Sequence, residues 1–265
     1  MNKKLIFFDI DGTILPDGTR VVPESTKEAI RKAKENGHLV FINTGRTFSG
    51  ITTPIFELDF NGYVCGCETH IYYNGKKIYA STISKEKCIE TVQLMRKNEI
   101  NVFYEGDRGI YFDYSYENPF TERAKRMLEG SGKSIEVVLE EKNDETFDKC
   151  LIKFTDKDIQ RKEFVMPFFE DNYYCIDRGD EMWEMAQKGH SKATGIQKVC
   201  ECLGADIDDC IAIGDSTNDL DMLKAVKDSV AMGNSMESIL PYCSYKTTDI
   251  LEDGIYNALA HFGII

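Results

Sequence analysis

Two aspartates stand two residues apart at the end of a short apolar run, in the segment Phe7-Phe8-Asp9-Ile10-Asp11-Gly12-Thr13. Residues 5–8 are typical of a buried parallel strand, and in open α/β sheets the chemistry collects beyond the carboxyl ends of such strands. If the chain stays extended, its period of two points both carboxylates the same way, and Gly12 lets the backbone turn afterwards. We therefore expect Asp9 and Asp11 at the edge of an active site, where they need a cation or a shared proton.

The same alternation of acids and a glycine also begins a calcium-binding loop of the EF-hand kind. Such a loop requires a flanking helix and an acid at its twelfth position. Here the residues before Asp9 are strand-like and the twelfth residue is Arg20, so the calcium interpretation is the less favoured of the two.

Two further apolar runs end in polar loops that contain glycine. Residues 39–42 lead into Asn43-Thr44-Gly45-Arg46, and residues 210–213 lead into Gly214-Asp215-Ser216-Thr217-Asn218-Asp219. A hydroxyl with free backbone amides can hold a phosphate there, and clustered acids can hold Mg²⁺. Lys192 precedes a helical pattern, where an ammonium and a helix N-terminus can both face an anion. Together these parts fit phosphoryl transfer, although no single one is specific.

Taken in this order, the segments make the chain resemble the haloacid dehalogenase (HAD) superfamily of phosphohydrolases. Residues 9–13 match its first motif, Thr44-Gly45-Arg46 its second, Lys192 its third, and Gly214-Asp215 with Asn218-Asp219 its fourth. The long stretch between the second and third motifs resembles the α/β cap of the Cof-type branch (type IIB cap), and residues 230–234 also fit that branch.

The resemblance implies a role for each motif residue. Asp9 would attack phosphorus and form an aspartyl phosphate, and Asp11 would act first as general acid and then as base. The implied Mg²⁺ ligands are Asp9, the backbone carbonyl of Asp11, and Asp215. The implied phosphate-binding groups are Thr44, Gly45, Lys192 and Asn218, with Asp219 supporting the lysine or the metal.

The chain also departs from the family pattern. Where the family usually shows Asn-Gly-Ala after its second motif, residues 63–67 lead into Glu68-Thr69-His70. Lys188 and Lys198 lie close in sequence to Lys192. We prefer Lys192 because it stands three residues after Gly189, as in the family, and because Ser191 can cap the helix that follows.

The alternation of predicted strands and helices favours a doubly wound, mainly parallel Rossmann-like α/β sheet with an inserted α/β cap domain. The predicted core comprises residues 1–82 and 187–265, and the predicted cap comprises residues 83–186. In the core, a capping box at Ser25-Thr26-Lys27-Glu28 predicts a helix that ends near Gly37, and further helices are predicted over residues 191–203, before Gly204, and 218–227.

The cap should close over the sheet edge and contact the group that carries the phosphate. Its candidate strands are residues 111–116, 150–154 and 182–185. Arg178, near the return to the core, and His190, beside the third motif, are the weaker candidates for substrate contacts.

Composition limits the classes of partner. The net charge of −13 and the sequence pI near 4.9 argue against nucleic acid or an anionic membrane and favour a small phosphorylated metabolite. No signal-like or membrane-spanning apolar run is present, so we expect a cytoplasmic protein, as a monomer or small homo-oligomer. The nine cysteines are dispersed and are interpreted as reduced thiols rather than as a disulfide framework or a zinc site.

The motifs and the family resemblance that they carry, together with the composition, predict a Mg²⁺-dependent phosphatase acting on a small phosphorylated metabolite, such as a sugar phosphate. Two alternatives remain open. One is a phosphotransferase or mutase that passes phosphate to another hydroxyl, and the other is a non-catalytic protein that binds a phosphorylated ligand.

Overall fold

Strands and helices alternate along much of the chain. This computed structural model describes residues 3–16, 18–19, 21–107, 109–112, 135–137 (backbone only) and 146–265. The strands within these residues are β1 (Leu5–Phe8), β2 (Leu39–Asn43), β3 (Gly62–Cys65), β4 (His70–Tyr73), β5 (Lys76–Ala80), β6 (Val102–Glu105), β7 (Ile110–Phe112), β8 (Ile135–Val137), β9 (Lys149–Lys153), β10 (Tyr174–Asp177), β11 (Met182–Ala186), β12 (Cys210–Gly214), β13 (Asp228–Ala231) and β14 (Tyr245–Lys246). The described α-helices are α1 (Glu24–Glu35), α2 (Thr53–Phe56), α3 (Lys85–Lys97), α4 (Ile159–Asn172), α5 (Lys192–Leu203), α6 (Leu220–Ala225) and α7 (Gly254–His261).

The chain divides into two compact units. The core unit comprises Met1–Gly45, Ile51–Ala80 and His190–Ile265, and the inserted unit comprises Arg46–Gly50 and Ser81–Gly189. None of the helices in the described residues has both the length and the apolar character that a membrane crossing requires.

The core unit is built on a sheet whose eight described strands have the order β14-β13-β12-β1-β2-β3-β4-β5. The strands from β14 to β3 are parallel to their neighbours, whereas β4 and β5 pair antiparallel. The three apolar runs found in the sequence form the central strands β12, β1 and β2, because a parallel sheet covered on both faces needs continuously apolar strands. The predicted mainly parallel α/β core is confirmed.

One face of this sheet packs against α5 and α6. The ring of Phe7 stacks on that of Phe41 with centroids 5.1 Å apart, and both rings belong to a buried cluster with Ile196 of α5 and Met222 of α6. Since side chains alternate along a strand, the buried Ile6 points to the opposite face. Burying an apolar side chain of this size stabilises the folded state by about 1.5–3 kcal/mol.

The start of α1 differs from the prediction. The helix begins at Glu24 with Pro23 as its N-cap and no side-chain capping bond, so the capping box expected at residues 25–28 is wrong. The fixed φ of Pro23, −56°, already suits the entry to a helix. Ser25 and Glu28 therefore lie inside the helix.

The other two predicted core helices are largely as expected. Ser191 caps α5 by accepting a hydrogen bond from the Thr194 amide, and Gly204 ends the helix in the left-handed region with φ +65°. The helix expected over residues 218–227 is shorter, because residues 217–219 form a 3-10 turn and Val226 is already extended.

The inserted unit has its own sheet, with the described order β10-β11-β9-β6-β7-β8. Its neighbours pair antiparallel except for β7 and β8. Val92 of α3 and Phe169 of α4 pack with Tyr104, Cys150 and Met185 of the sheet in one buried cluster. The strands predicted at residues 150–154 and 182–185 correspond to β9 and β11. Of the strand predicted at 111–116, residues 113–116 lie outside the described residues.

Gly62 in β3 provides a test of the core packing. A Cβ atom at this position would lie 2.4 Å from Cε1 of Phe41 and 2.5 Å from the carbonyl oxygen of Tyr72. Because a stacked ring and a sheet backbone cannot easily move, we expect Gly62→Ala to lower the free energy of unfolding by about 1–3 kcal/mol in a urea titration. At Gly109 the nearest atom would be 3.7 Å away, so Gly109→Ala should change stability by less than about 0.5 kcal/mol. Equal effects of the two substitutions would contradict this packing.

Candidate active site

The carboxyl ends of the three central strands bring the first and fourth sequence motifs together. In the sheet, Phe8 of β1 is level with Ile213 of β12 and with Ile42 of β2. The next residue, Asp9, is 4% exposed, and its amide donates to the carbonyl oxygen of Ile213 at 3.1 Å. The Asp9 carboxylate therefore lies at the sheet edge between the loops that follow β2 and β12.

Lys192 carries the third motif into the same place. It is the first residue of α5 and is 2% exposed. Its Nζ donates to Oδ1 of Asp9 at 2.6 Å and also to Oδ1 of Asp219. A buried ammonium must be paired, since an isolated charge in the interior is very costly. The spacing argument that preferred Lys192 over Lys188 and Lys198 thus agrees with its position, because the other two lysines are exposed or half-buried and bond elsewhere.

Burial sets the electrostatics of this cluster. The pKa of Asp9 is raised to about 7. Loss of hydration is the largest cause and the negative charge of Asp219 the second, whereas the ammonium of Lys192 lowers this pKa. Burial lowers the pKa of Lys192, but the carboxylates of Asp9 and Asp219 outweigh it, so that the net direction is upward. The lysine is therefore charged, and the carboxylates around it carry more negative charge than it neutralises.

The loop after β12 supplies a third carboxylate. Asp215 accepts a hydrogen bond on Oδ1 from the hydroxyl of Thr13 at 3.1 Å. The loop is shaped by Asp219, whose Oδ2 accepts from the amides of Asp215 at 2.9 Å and Ser216 at 3.1 Å. Asp219 thus orients Lys192 with one carboxylate oxygen and folds the loop that carries Asp215 with the other.

These residues fit a divalent cation. Carboxylate oxygens of Asp9, Asp215 and Asp219 all lie within 4.8 Å of one another, and oxygen donors are what Mg²⁺ prefers. When all three carboxylates are ionised, they exceed the single ammonium of Lys192 by two negative charges, and the rise of the pKa of Asp9 to about 7 reflects the cost of that state in a buried site. A divalent ion would balance this excess, which burial makes costly.

Asp11 differs from Asp9 in its exposure to solvent. The chain does not stay extended, because the carbonyl oxygen of Ile10 accepts bonds from the amides of Ile14 at 2.9 Å and Leu15 at 2.8 Å. Asp9 is consequently buried and Asp11 exposed. The backbone thus turns at Ile10 instead of continuing the extended strand.

The remaining predicted site residues lie in three surroundings. Thr44 is buried at the end of β2, with Gly45 half-buried beside it, and Asn218 is exposed and accepts from the Ser216 hydroxyl at 2.8 Å. His190 lies against Glu68, with Nδ1 and Oε2 3.2 Å apart. In the inserted unit, Arg178 donates to Oε2 of Glu184 through Nε at 2.9 Å and Nη2 at 2.6 Å.

Three residues contribute to the site without having been predicted. Besides Thr13, these are Asn43, whose Nδ2 donates to the carbonyl oxygen of Lys192 at 2.8 Å, and Asn234, whose Nδ2 donates to the carbonyl oxygen of Gly12 at 2.8 Å. All three stand inside or next to matched motifs. Polar residues flanking the motif positions were thus the available signal.

Comparison with known proteins agrees with this geometry. Residues 6–259 match the family model of the haloacid dehalogenase-like hydrolases. The chain belongs to this family, as the motifs indicated, and is therefore an enzyme of the hydrolase class.

Relatives and solved structures cover the whole chain. The putative phosphatase YkrA of Bacillus subtilis (strain 168) is 29% identical, with all of both chains aligned. The 5-amino-6-(5-phospho-D-ribitylamino)uracil phosphatase YitU of the same organism is 27% identical over 97% of each chain. The solved structure of the HAD subclass IIB sugar phosphatase BT4131 superimposes with a TM-score of 0.79 at 27% identity, covering 99% of this chain and 100% of that one.

Gly12 offers a direct test of the carboxylate cluster. Its φ is +76°, and a Cβ atom there would lie 2.4 Å from Oδ2 of Asp215. We expect Gly12→Ala to displace Asp215 and to weaken Mg²⁺ binding, measured by titration calorimetry, by about 10- to 100-fold. Gly18 has a similar φ of +71° with nothing within 4 Å. Gly18→Ala therefore carries the same backbone strain and should leave Mg²⁺ affinity unchanged; equal affinities for wild type and both variants would contradict the proposed cluster.

Proposed function

We propose that this protein is a Mg²⁺-dependent phosphatase that hydrolyses small phosphorylated metabolites, such as sugar phosphates, through an aspartyl phosphate on Asp9. The observation that carries the proposal is the buried cluster of Asp9, Lys192 and Asp219 beside Asp215 at the carboxyl edge of a parallel sheet. An anionic nucleophile, a fixed cation and a group of oxygen ligands are what phosphoryl transfer requires in one place.

In the first step, a carboxylate oxygen of Asp9 attacks phosphorus and the bond from phosphorus to the leaving oxygen breaks. Asp11 gives its proton to the departing alkoxide. In the second step Asp11 takes a proton from water, whose oxygen attacks phosphorus, and inorganic phosphate leaves while the Asp9 carboxylate is restored. The exposure of Asp11 is consistent with a group that meets the leaving alcohol and then water.

The phosphoryl oxygens would be held by Thr44, the amide of Gly45, Lys192 and Asn218. Lys192 is already bound to the attacking carboxylate, so the same ammonium can hold Asp9 in place and offset the charge that develops on phosphate. Because this cation is buried and paired before substrate arrives, little reorganisation is needed during the reaction.

Asp9, the backbone carbonyl of Asp11, and Asp215 would hold Mg²⁺, with Asp219 close enough to support them. When bound, the ion would supply the positive charge that lets a carboxylate and a phosphate dianion approach each other. The excess negative charge around Lys192 supports this assignment.

We further propose that residues 83–186 act as a cap that selects the leaving group. Arg178 and His190 are the side chains proposed to contact it. The relatives support the substrate class only broadly, since the phosphatases named above include one for a sugar phosphate and one for a phosphorylated ribitylaminouracil.

Substitution of Asp9 tests its proposed role as nucleophile. Wild-type protein should release phosphate from an aryl phosphate with Mg²⁺ but not with EDTA. Asp9→Asn should lower the rate by more than about 10³-fold, because loss of a nucleophile leaves only binding and electrostatic effects. Asp59→Asn is a matched control, since Asp59 is exposed and paired with Lys34, and it should keep the wild-type rate. No release from the aryl phosphate or from a panel of phosphorylated metabolites, by a folded protein that binds Mg²⁺, would overturn the proposal.

Substitution of Asp11 tests its proposed role as acid and base. A nitrophenolate leaves without needing a proton, so Asp11→Asn should still form the aspartyl phosphate from nitrophenyl phosphate but should hydrolyse it slowly. We expect a burst of nitrophenolate equal to the enzyme concentration, followed by a steady rate about 10²- to 10⁴-fold below wild type. Stopped-flow absorbance measures both phases. A wild-type steady rate in this variant would contradict the assigned acid and base role.

A further inference from the structure

Glu68 holds a backbone conformation that residues other than glycine rarely adopt. Its φ is +97°, and that of the preceding Cys67 is +56°. The residue is also only 5% exposed, although it carries a carboxylate. Strained backbone and a buried acid both cost free energy, and such features persist where surrounding contacts enforce them, often at functional sites.

The carboxylate of Glu68 spans the beginning of α5. Its Oε2 lies 3.2 Å from Nδ1 of His190 and accepts a hydrogen bond from the hydroxyl of Thr194. These two partners stand two residues before and two residues after Lys192. A negative charge at this place also suits the positive end of the helix dipole.

The residue before Glu68 holds the other half of the proposed phosphate site. The amide of Cys67 donates to the carbonyl oxygen of Thr44 at 3.0 Å. A Cβ atom on Gly45 would lie 3.6 Å from Sγ of Cys67. Cys67 and Glu68 are consecutive residues of one loop. Cys67 bonds to the segment that follows β2, and Glu68 bonds to the first turn of α5.

We propose that Glu68 is a positioning residue, which fixes Lys192 relative to Thr44 and Gly45 so that the three groups converge on one phosphoryl group. This inference rests on the proposed function, because it concerns the phosphate-binding groups named there. Glu68 itself does not touch the substrate. It acts through His190, Thr194 and the first turn of α5.

Three substitutions separate this role from other effects of Glu68. Glu68→Gly and Glu68→Asn both tolerate a left-handed backbone, and neither can bond to Thr194 as glutamate does. Glu68→Gln keeps the length and one acceptor oxygen. The matched control is Glu99→Gly, since Glu99 also has a positive φ, +51°, and is ion-paired, with Arg161 at 2.8 Å.

The experiment measures the affinity for inorganic phosphate in the presence of Mg²⁺ by calorimetry, kcat and KM with an aryl phosphate, and the melting temperature. We expect Glu68→Gly and Glu68→Asn to weaken phosphate binding and to lower kcat/KM by about 10- to 100-fold. Their melting temperatures should change little, because relief of the backbone strain offsets the loss of the bonds to His190 and Thr194. Glu68→Gln should recover most of the loss, and Glu99→Gly should match wild type.

The alternative roles of Glu68 predict other results. Simple loss of a negative charge near an anion site would strengthen phosphate binding, and a purely structural role would lower the melting temperature without changing phosphate affinity. Either result would overturn the inference, as would wild-type phosphate affinity in a folded Glu68→Gly protein. If Glu68→Gly does not fold, the same criteria apply to Glu68→Asn.

The two proposals fail separately. An inactive wild type that binds phosphate through Glu68-dependent contacts would overturn the phosphatase proposal alone. An active wild type whose Glu68 variants bind phosphate normally would overturn only the positioning role. A wild type that neither turns over nor binds phosphate would overturn both.

Discussion

The buried ammonium of Lys192 is the interaction on which the site depends. It is held between the carboxylates of Asp9 and Asp219, so β1, α5 and the turn after β12 are fixed to one another by one charge network. Removing one partner of a buried ion pair typically costs about 3–5 kcal/mol, because the other charge is left uncompensated. The network therefore constrains the position of every element that enters it, and its excess of negative charge favours a divalent cation.

Close packing around this network explains why small and polar residues stand where they do. A Cβ atom on Gly214 would lie 2.7 Å from Cβ of Asp219, just as one on Gly12 would collide with Asp215. Nδ2 of Asn43 donates to the carbonyl oxygen of Lys192, and Nδ2 of Asn234 donates to the carbonyl oxygen of Gly12. These two bonds hold the segments that contain Lys192 and Gly12 in place. The carboxylates are thus positioned by backbone and amide contacts as well as by their own charges.

Much of this could be predicted from the sequence, and the limits follow from the range of the interactions. Apolar runs identified the central strands, and because parallel strands end at one edge, the meeting of Asp9 with Asp215 was predictable. Ser191 and Gly204 are local signals and gave the bounds of α5. The family resemblance also indicated Asp219 as a support for the lysine or the metal. The contacts of Glu68 were not predictable, since Glu68 bonds to residues 122 and 126 positions away. The false capping box in α1 shows that a local pattern also fails when a neighbouring proline starts the helix earlier.

The central claim is that Asp9 carries the phosphoryl group during turnover. The most direct measurement is to mix the protein with a substrate labelled in its phosphoryl group, quench in acid within milliseconds, and locate the label by peptide mapping. Our account predicts label on the peptide that contains Asp9, in an amount that approaches one group per protein at saturating substrate if hydrolysis of the intermediate is slow. Label on another residue, or turnover without any protein-bound label in the variant Asp11→Asn, would contradict it.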